Sequence, residues 1–125
     1  MIKNINDKNL LKLWAEAVKE RAGQRCEYCD CNVNYKQVHA HHVFSRRGVS
    51  TRYLLKNSLC LCPSHHTMGS FAAHSDPTFM ATIIATGVRS EAWLDDLIIE
   101  RRKVQKNTQE FRDECYEKLK LYLNC

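Results

Sequence analysis

At 125 residues, 44% hydrophobic and 26% charged, the chain has the size and composition of one globular domain and is too short for two. Its polar start lacks a basic lead followed by an apolar stretch, and no apolar run reaches bilayer-spanning length, so a protein of a reducing cytoplasm with no membrane association is expected. Seven cysteines, an odd number without a secretion signal, argue for metal binding over a disulfide framework.

The net charge of +5 is modest, and its location says more than its size. Between Asn32 and Ser75 there is no Asp or Glu, while Lys36, Arg46, Arg47, Arg52 and Lys56 supply five positive charges. All six histidines, at positions 39, 41, 42, 65, 66 and 74, fall in the same stretch. Cations and imidazoles concentrated where carboxylates are excluded suit a phosphate-bearing partner.

In chain order, Asp7 to Arg21 predicts an amphipathic helix with Leu10, Leu13, Trp14, Ala17 and Val18 inward, Asp7 as cap and Gly23 as stop. A cysteine turn follows, and then Gln37 to Phe44 reads as a strand carrying the histidine cluster. Ser45 to Thr51 reads as a basic loop, and Leu54 to Leu61 as a second extended segment. Pro63 suits the first turn of a helix, on which His66, Ser70 and His74 would share a face, with Gly69 weakening it. A short helix is expected from Ser75, Asp76 and Pro77 to Gly87. From Ser90 onward, Trp93, Leu97, Val104, Phe111, Cys115, Leu119 and Tyr122 mark one long helix or two. The plan is a core motif over 26–75 flanked by helices over 7–22 and 77–123, with Trp14 and Trp93 in the interior.

Cys26-Glu-Tyr-Cys29 and Cys62-Pro-Ser-His65, separated by 32 residues, form two short chelating turns. Zinc takes four thiolate or imidazole ligands tetrahedrally, and each turn can supply two, so a structural zinc is expected. Cys60 stands near enough to replace a ligand, and His66 can replace His65. Cys31, Cys115 and Cys125 have no spacing partner and read as bland.

The order Cys26-x-x-Cys29, His41-His42-Val43, Asn57, Leu61-Cys62-x-x-His65-His66 resembles an HNH endonuclease. More narrowly, His41-His42-Val43-Phe44-Ser45-Arg46 with Leu61-Cys62-Pro63-Ser64-His65-His66 is similar to the zinc-stapled HNH proteins common in bacteriophage genomes. The resemblance covers about forty per cent of the chain. It implies an α+β fold with a small ββα-metal, treble-clef-like zinc core between N- and C-terminal helices, acting on DNA in the host cytoplasm if phage-encoded. It also implies His42 as general base, Asn57 as the residue holding the hairpin loop and the His42 ring, and His41 and His66 as ligands of one catalytic divalent cation.

Phosphodiester cleavage needs an activated nucleophile and neutralisation of charge at the phosphoryl and leaving oxygens, which a neutral imidazole and a metal can divide between them. Neighbours on a strand face opposite ways, so His41 and His42 are expected to do different jobs. Two departures stand out: Cys62-x-x-His65-His66 where many relatives have Cys-x-x-Cys-His, and His41 where others have Asp. Imidazole suits nickel or zinc, and carboxylate suits magnesium or manganese, so all four metals stay open.

His74 reads as a further ligand of the catalytic metal, a phosphate contact or a packing residue. His39, on the strand face of His41, reads as a supporting or structural residue. Arg46, Arg47, Arg52 and Lys56 are expected to contact the phosphates of double-stranded DNA. Tyr35, Phe44, Tyr53 and Phe71 interleave with them and read mostly as core. The alternative from another class is a noncatalytic zinc-stabilised nucleic-acid-binding module.

Overall fold

The computed structural model describes residues 4–29, 38–68, 72–74 and 76–124. Within them the chain is a small α+β protein: helix α1 (Asp7–Arg21), strand β1 (His39–His42), a short helix α2 (Val49–Arg52), strand β2 (Ser58–Leu61), a π-helical turn (Ser64–Met68), then helices α3 (Phe79–Ala85), α4 (Glu91–Arg102) and α5 (Gln109–Leu123). Cys31, Tyr35, Lys36, Gly69, Ser70, Phe71, Ser75 and Cys125 lie outside the described residues.

The first helix spans the expected residues and buries all five expected apolar positions. Its cap is Asn6 and not Asp7: Asn6 is extended, as a cap must be, and its side chain accepts from the Asn9 amide at 2.8 Å. Asp7 instead accepts from the Tyr53 hydroxyl and from Arg52 Nη1. Gly23 and Gln24 both take positive φ where the helix stops.

β1 and β2 pair antiparallel, His39 with Leu61, Ala40 with Cys60, His41 with Leu59 and His42 with Ser58. The period of two assigns these pairs alternately to two faces. Toward one face, Cys60 joins a core of α1 and α5 residues, Leu10, Trp14, Ala17, Val18, Cys115, Tyr116 and Leu119, with Ala40 packed against it. Toward the other, Leu59 and Leu61 pack with Cys26, Cys62, Phe79 and Ile83. Burying one such aliphatic or aromatic side chain stabilises by about 1.5–3 kcal/mol, so the thin hairpin depends on both layers.

Several boundaries differ from expectation. The loop after β1 contains α2, and the second extended segment shortens to Ser58–Leu61 because Leu54 to Asn57 form a turn closed by Asn57 N bonding to Leu54 O. Among the described residues the helix expected from Pro63 is the π-helical turn Ser64–Met68, and His74 lies in a non-helical segment. Instead Ala73 N and His74 N bond back to His65 O and His66 O, eight residues earlier, so backbone pairing brings this segment beside the turn. α3 begins at Phe79 after an Asp76 side chain that accepts from the Thr78 amide and hydroxyl, and it ends before Gly87 at φ 80°. The C-terminal pattern resolves into two helices, each capped by a hydroxyl, Ser90 and Thr108. Val104, in the connection, is 97% exposed, and Trp93 is half-buried with its indole N–H donating to Lys56 O.

Glu27 joins the layers. Its carboxylate accepts from Arg21 at 3.1 Å, from Arg89 at 2.8 Å and from the Cys60 amide at 2.7 Å. A largely buried carboxylate is tolerated because two guanidinium groups and a backbone N–H satisfy it. Among the described residues no helix is long and apolar enough to cross a membrane.

Candidate metal centres and the histidine site

The cysteine turn and the start of the π-helical turn meet as the spacing predicts. Glu27 N donates to Cys60 O at 2.7 Å, which sets the Cys26–Cys29 turn against β2. His65 N and His66 N both donate to Cys62 O, which curls the chain so that the His65 ring returns toward Cys62. Cys26, Cys29, Cys62 and His65 then present ligand atoms all within 4.8 Å of one another. The separations are 3.9 Å from Cys26 Sγ to His65 Nδ1, 3.8 Å from Cys29 Sγ to Cys62 Sγ and 3.3 Å from Cys62 Sγ to His65 Nδ1. Ligands on a tetrahedral zinc stand about 3.8 Å apart sulfur to sulfur and about 3.6 Å sulfur to nitrogen. The donor set and its dimensions fit structural zinc.

The surroundings are those of a closed site. Cys26 and Cys62 are 7% and 1% exposed, and Tyr28 and Phe79 pack around the His65 ring. Burial pushes the Cys62 thiol up and the neighbouring Cys26 adds to the rise, while the backbone amides of His65 and Ser64 aimed at its sulfur oppose it. Cys29 is held in a disulfide in this structure, and binding zinc requires it reduced. Cys60 is not a ligand candidate here, because strand alternation turns it into the α1–α5 core. His65, not His66, joins the cysteines.

His66 belongs to a second cluster. His41, His66 and His74 bring one ring nitrogen each within 4.8 Å of the others, although they come from β1, the π-helical turn and the segment before α3. His66 Nε2 and His74 Nε2 stand 2.9 Å apart. Two imidazole nitrogens bound to one metal at about 2.0–2.1 Å stand about 2.9–3.4 Å apart, depending on the angle between them. His41 is 8% exposed, and its Nδ1 is buried with no hydrogen-bond partner. Burial first, and then His66, His74 and His42, depress the His41 pKa to about 3; burial, His74 and His39 depress His66 to about 4. Both rings are therefore neutral near pH 7, the form that donates to a metal. These three residues can hold a divalent cation.

His39, on the same strand face as His41, places its Nδ1 2.9 Å from His66 Nδ1. A proton on His66 Nδ1 shared with His39 leaves His66 Nε2 as a lone pair facing His74.

His42 points away from that face and is fixed twice. Its ring stacks on Trp14 at 3.8 Å between centroids and 12° between planes. Its Nε2 lies 3.0 Å from Arg52 O, and because a carbonyl only accepts, Nε2 must donate and Nδ1 is the basic nitrogen. Burial, the largest cause, lowers the His42 pKa, with Arg46 and Arg52 adding to it and the bond to Arg52 O opposing. The two faces meet at the end of β1, where His41, His42, Val43, Phe44, His74 and Asp76 line one cavity of about 450 Å³.

Asn57 is fully buried and stitches the intervening loop. Its Oδ1 accepts from Phe44 N at 2.7 Å, and its Nδ2 donates to Phe44 O and Thr51 O, each at 3.0 Å. Asn57 thus ties the loop at Phe44 and Thr51, whereas the His42 ring is held by Trp14 and Arg52 O. Neither of those partners was legible, since Trp14 reads as core and a backbone carbonyl has no sequence signal.

The four expected basic residues separate. Arg46 and Arg47 are exposed beside the cavity mouth at Ser45. Arg52 is engaged internally, donating to Arg46 O at 2.6 Å and pairing with Asp7 at 3.3 Å. Lys56 lines a different cavity, of about 490 Å³, between α2 and α5. Of the aromatics, Phe44 lines the histidine cavity and Tyr53 is core. Comparison with protein-family models, with curated proteins and with solved structures returns no match for this chain.

Proposed function

We propose that this chain is a metal-dependent endonuclease of the HNH, ββα-metal type that hydrolyses phosphodiester bonds in double-stranded DNA. The observation that carries the reading is one cavity that receives both His41 and His74 of a three-imidazole cluster and His42, a histidine whose Nε2 is committed to a backbone carbonyl. In this reading His42 Nδ1 takes a proton from the attacking water, and Trp14 and Arg52 O keep the ring in the tautomer that can do so. His41, His66 and His74 would hold the catalytic cation, and Asn57 keeps the loop between His42 and Arg52 in place. A divalent cation bound there would supply positive charge to the phosphoryl and leaving 3′ oxygens. Three imidazoles favour nickel or zinc over magnesium or manganese. The Cys26, Cys29, Cys62 and His65 centre serves the fold only.

The alternative, a noncatalytic zinc-stabilised nucleic-acid-binding module, uses the cysteine centre equally well but leaves the imidazole cluster and His42 without a task. Incubating zinc-loaded protein with supercoiled plasmid and added nickel, manganese, magnesium or zinc separates the two. Relaxed or linear product that appears with added metal and disappears with a chelator supports the nuclease. Intact plasmid under every metal, with the protein folded and bound to it, supports the module.

A further inference from the structure

The basic surface that the fold assembles is not the one the sequence groups together. Arg52 is committed to Asp7 and to Arg46 O, and Lys56 opens onto the other cavity. In their place, α4 brings its C-terminal end to the loop that follows β1. The Arg101 guanidinium lies directly against Gly48: a Cβ built on Gly48 would stand 2.6 Å from Arg101 Cζ and 2.6 Å from Nε. Ser50 Oγ reaches Arg101 O at 3.4 Å. The Arg101 side chain thus occupies the space that glycine leaves open at position 48. Arg46 and Arg47 precede Gly48 immediately, and Arg102 follows Arg101. All four arginines are exposed, and among the described residues none of them forms an ion pair, unlike Arg21, Arg52 and Arg89.

We infer that Arg46, Arg47, Arg101 and Arg102 form one phosphate-binding surface, so that the nucleic acid runs from the histidine cavity over the loop and onto the end of α4. The partner's chemistry follows from the groups. Unpaired exposed guanidinium groups from two elements, with the cavity mouth beginning at Ser45 next to Arg46, match the closely spaced charges of a duplex backbone. This rests on the nuclease reading for the identity of the substrate, and it adds α4, a helix whose sequence holds more acidic than basic residues and so gives no sign of the role.

The test is binding of His42→Ala protein to a short mixed-sequence duplex, followed by fluorescence anisotropy at several salt concentrations. Arg101→Gln with Arg102→Gln is compared with Arg46→Gln plus Arg47→Gln, and with Lys8→Gln plus Lys12→Gln, an exposed charge-matched control on α1. Circular dichroism and zinc content establish that each variant is folded. Each phosphate contact removed should lower the slope of log affinity against log salt by roughly 0.9, so the Arg101/Arg102 pair should lower it by up to about 1.8. The control pair should leave the slope unchanged. If the Arg46/Arg47 pair lowers the slope and the Arg101/Arg102 pair does not, the extension onto α4 is wrong while the DNA reading stands. Equal loss in the control would reduce the effect to net charge and overturn the surface. A parent protein that shows no salt-dependent affinity for the duplex overturns the DNA reading, and the extension with it.

Discussion

The two metal-ligand clusters lie against the same small hairpin and share the π-helical turn, yet they are built differently. The cysteine cluster offers four ligands from two local turns and is walled by Tyr28 and Phe79, and none of its four ligands lines either of the two cavities described above. The histidine cluster offers three ligands from three separate segments, with His41 buried, His66 intermediate and His74 exposed, and two of the three line an open cavity beside His42. Four protein ligands complete a zinc shell and leave no position for chemistry; three leave room for water or substrate. Adjacent residues, His65 and His66, thus join different clusters because one turn of backbone points them to opposite sides.

This contrast predicts unequal consequences of damage. The largest effect should come from Cys62→Ser, which removes a buried ligand from the closed centre. Zinc content should fall from one tightly held ion per chain, and the cooperative melt should be lost with it, because metal affinity and folding are coupled in such sites. Metal analysis beside a thermal melt checks this, and a variant that melts normally without zinc would break the division of roles.

Next in size is His42→Ala, which should slow cleavage by about 10²–10⁴, the usual contribution of a general base, with zinc content and duplex affinity kept. Plasmid cleavage rates measure it, and an undiminished rate would remove His42 from the chemistry. Smaller again is His39→Leu, which takes the partner from His66 Nδ1 and should weaken binding of cobalt at the histidine cluster by about 10–100-fold, the usual effect of losing a ligand's outer partner. His39→Asn, which keeps an acceptor near the Nδ1 position, should restore much of it. A cobalt titration followed by visible absorption distinguishes orientation of His66 from mere packing, since packing loss would not be repaired by Asn. Of similar size in free energy is Asn57→Ala, which leaves Phe44 N and two carbonyls without their partner and should cost about 1–3 kcal/mol in urea denaturation while both metal centres still fill.

Much of this was legible in the sequence where one physical rule governed. Helical periodicity delimited α1 because its apolar stripe is regular, and two chelating turns announced the cysteine cluster because spacing alone sets their reach. The choice between His65 and His66 was not legible: both follow Cys62 closely enough, and only the π-helical turn separates them. The expected helical face through Ser70 failed as a reason for bringing His66 and His74 together, although they do meet, because backbone bonds from Ala73 and His74 to residues 65 and 66 do what a continuous helix was expected to do. The four basic residues that are near one another in the sequence separate in the fold for a similar reason. Proximity along the chain made Arg52 look like Arg46, whereas Asp7, some 45 residues away, claims it, and Arg101 arrives from α4.

The most direct test of the account is metal-dependent cleavage by protein carrying only its tightly held zinc, beside a His66→Ala variant prepared in the same way. The account predicts that the parent is inert until nickel, manganese, magnesium or further zinc is added and then cuts plasmid DNA, and that His66→Ala keeps its zinc and its fold but stays inert. Cleavage by His66→Ala at the parent's rate, or loss of the tightly held zinc on that substitution, would contradict the separation of a structural centre at Cys26, Cys29, Cys62 and His65 from a catalytic one at His41, His66 and His74.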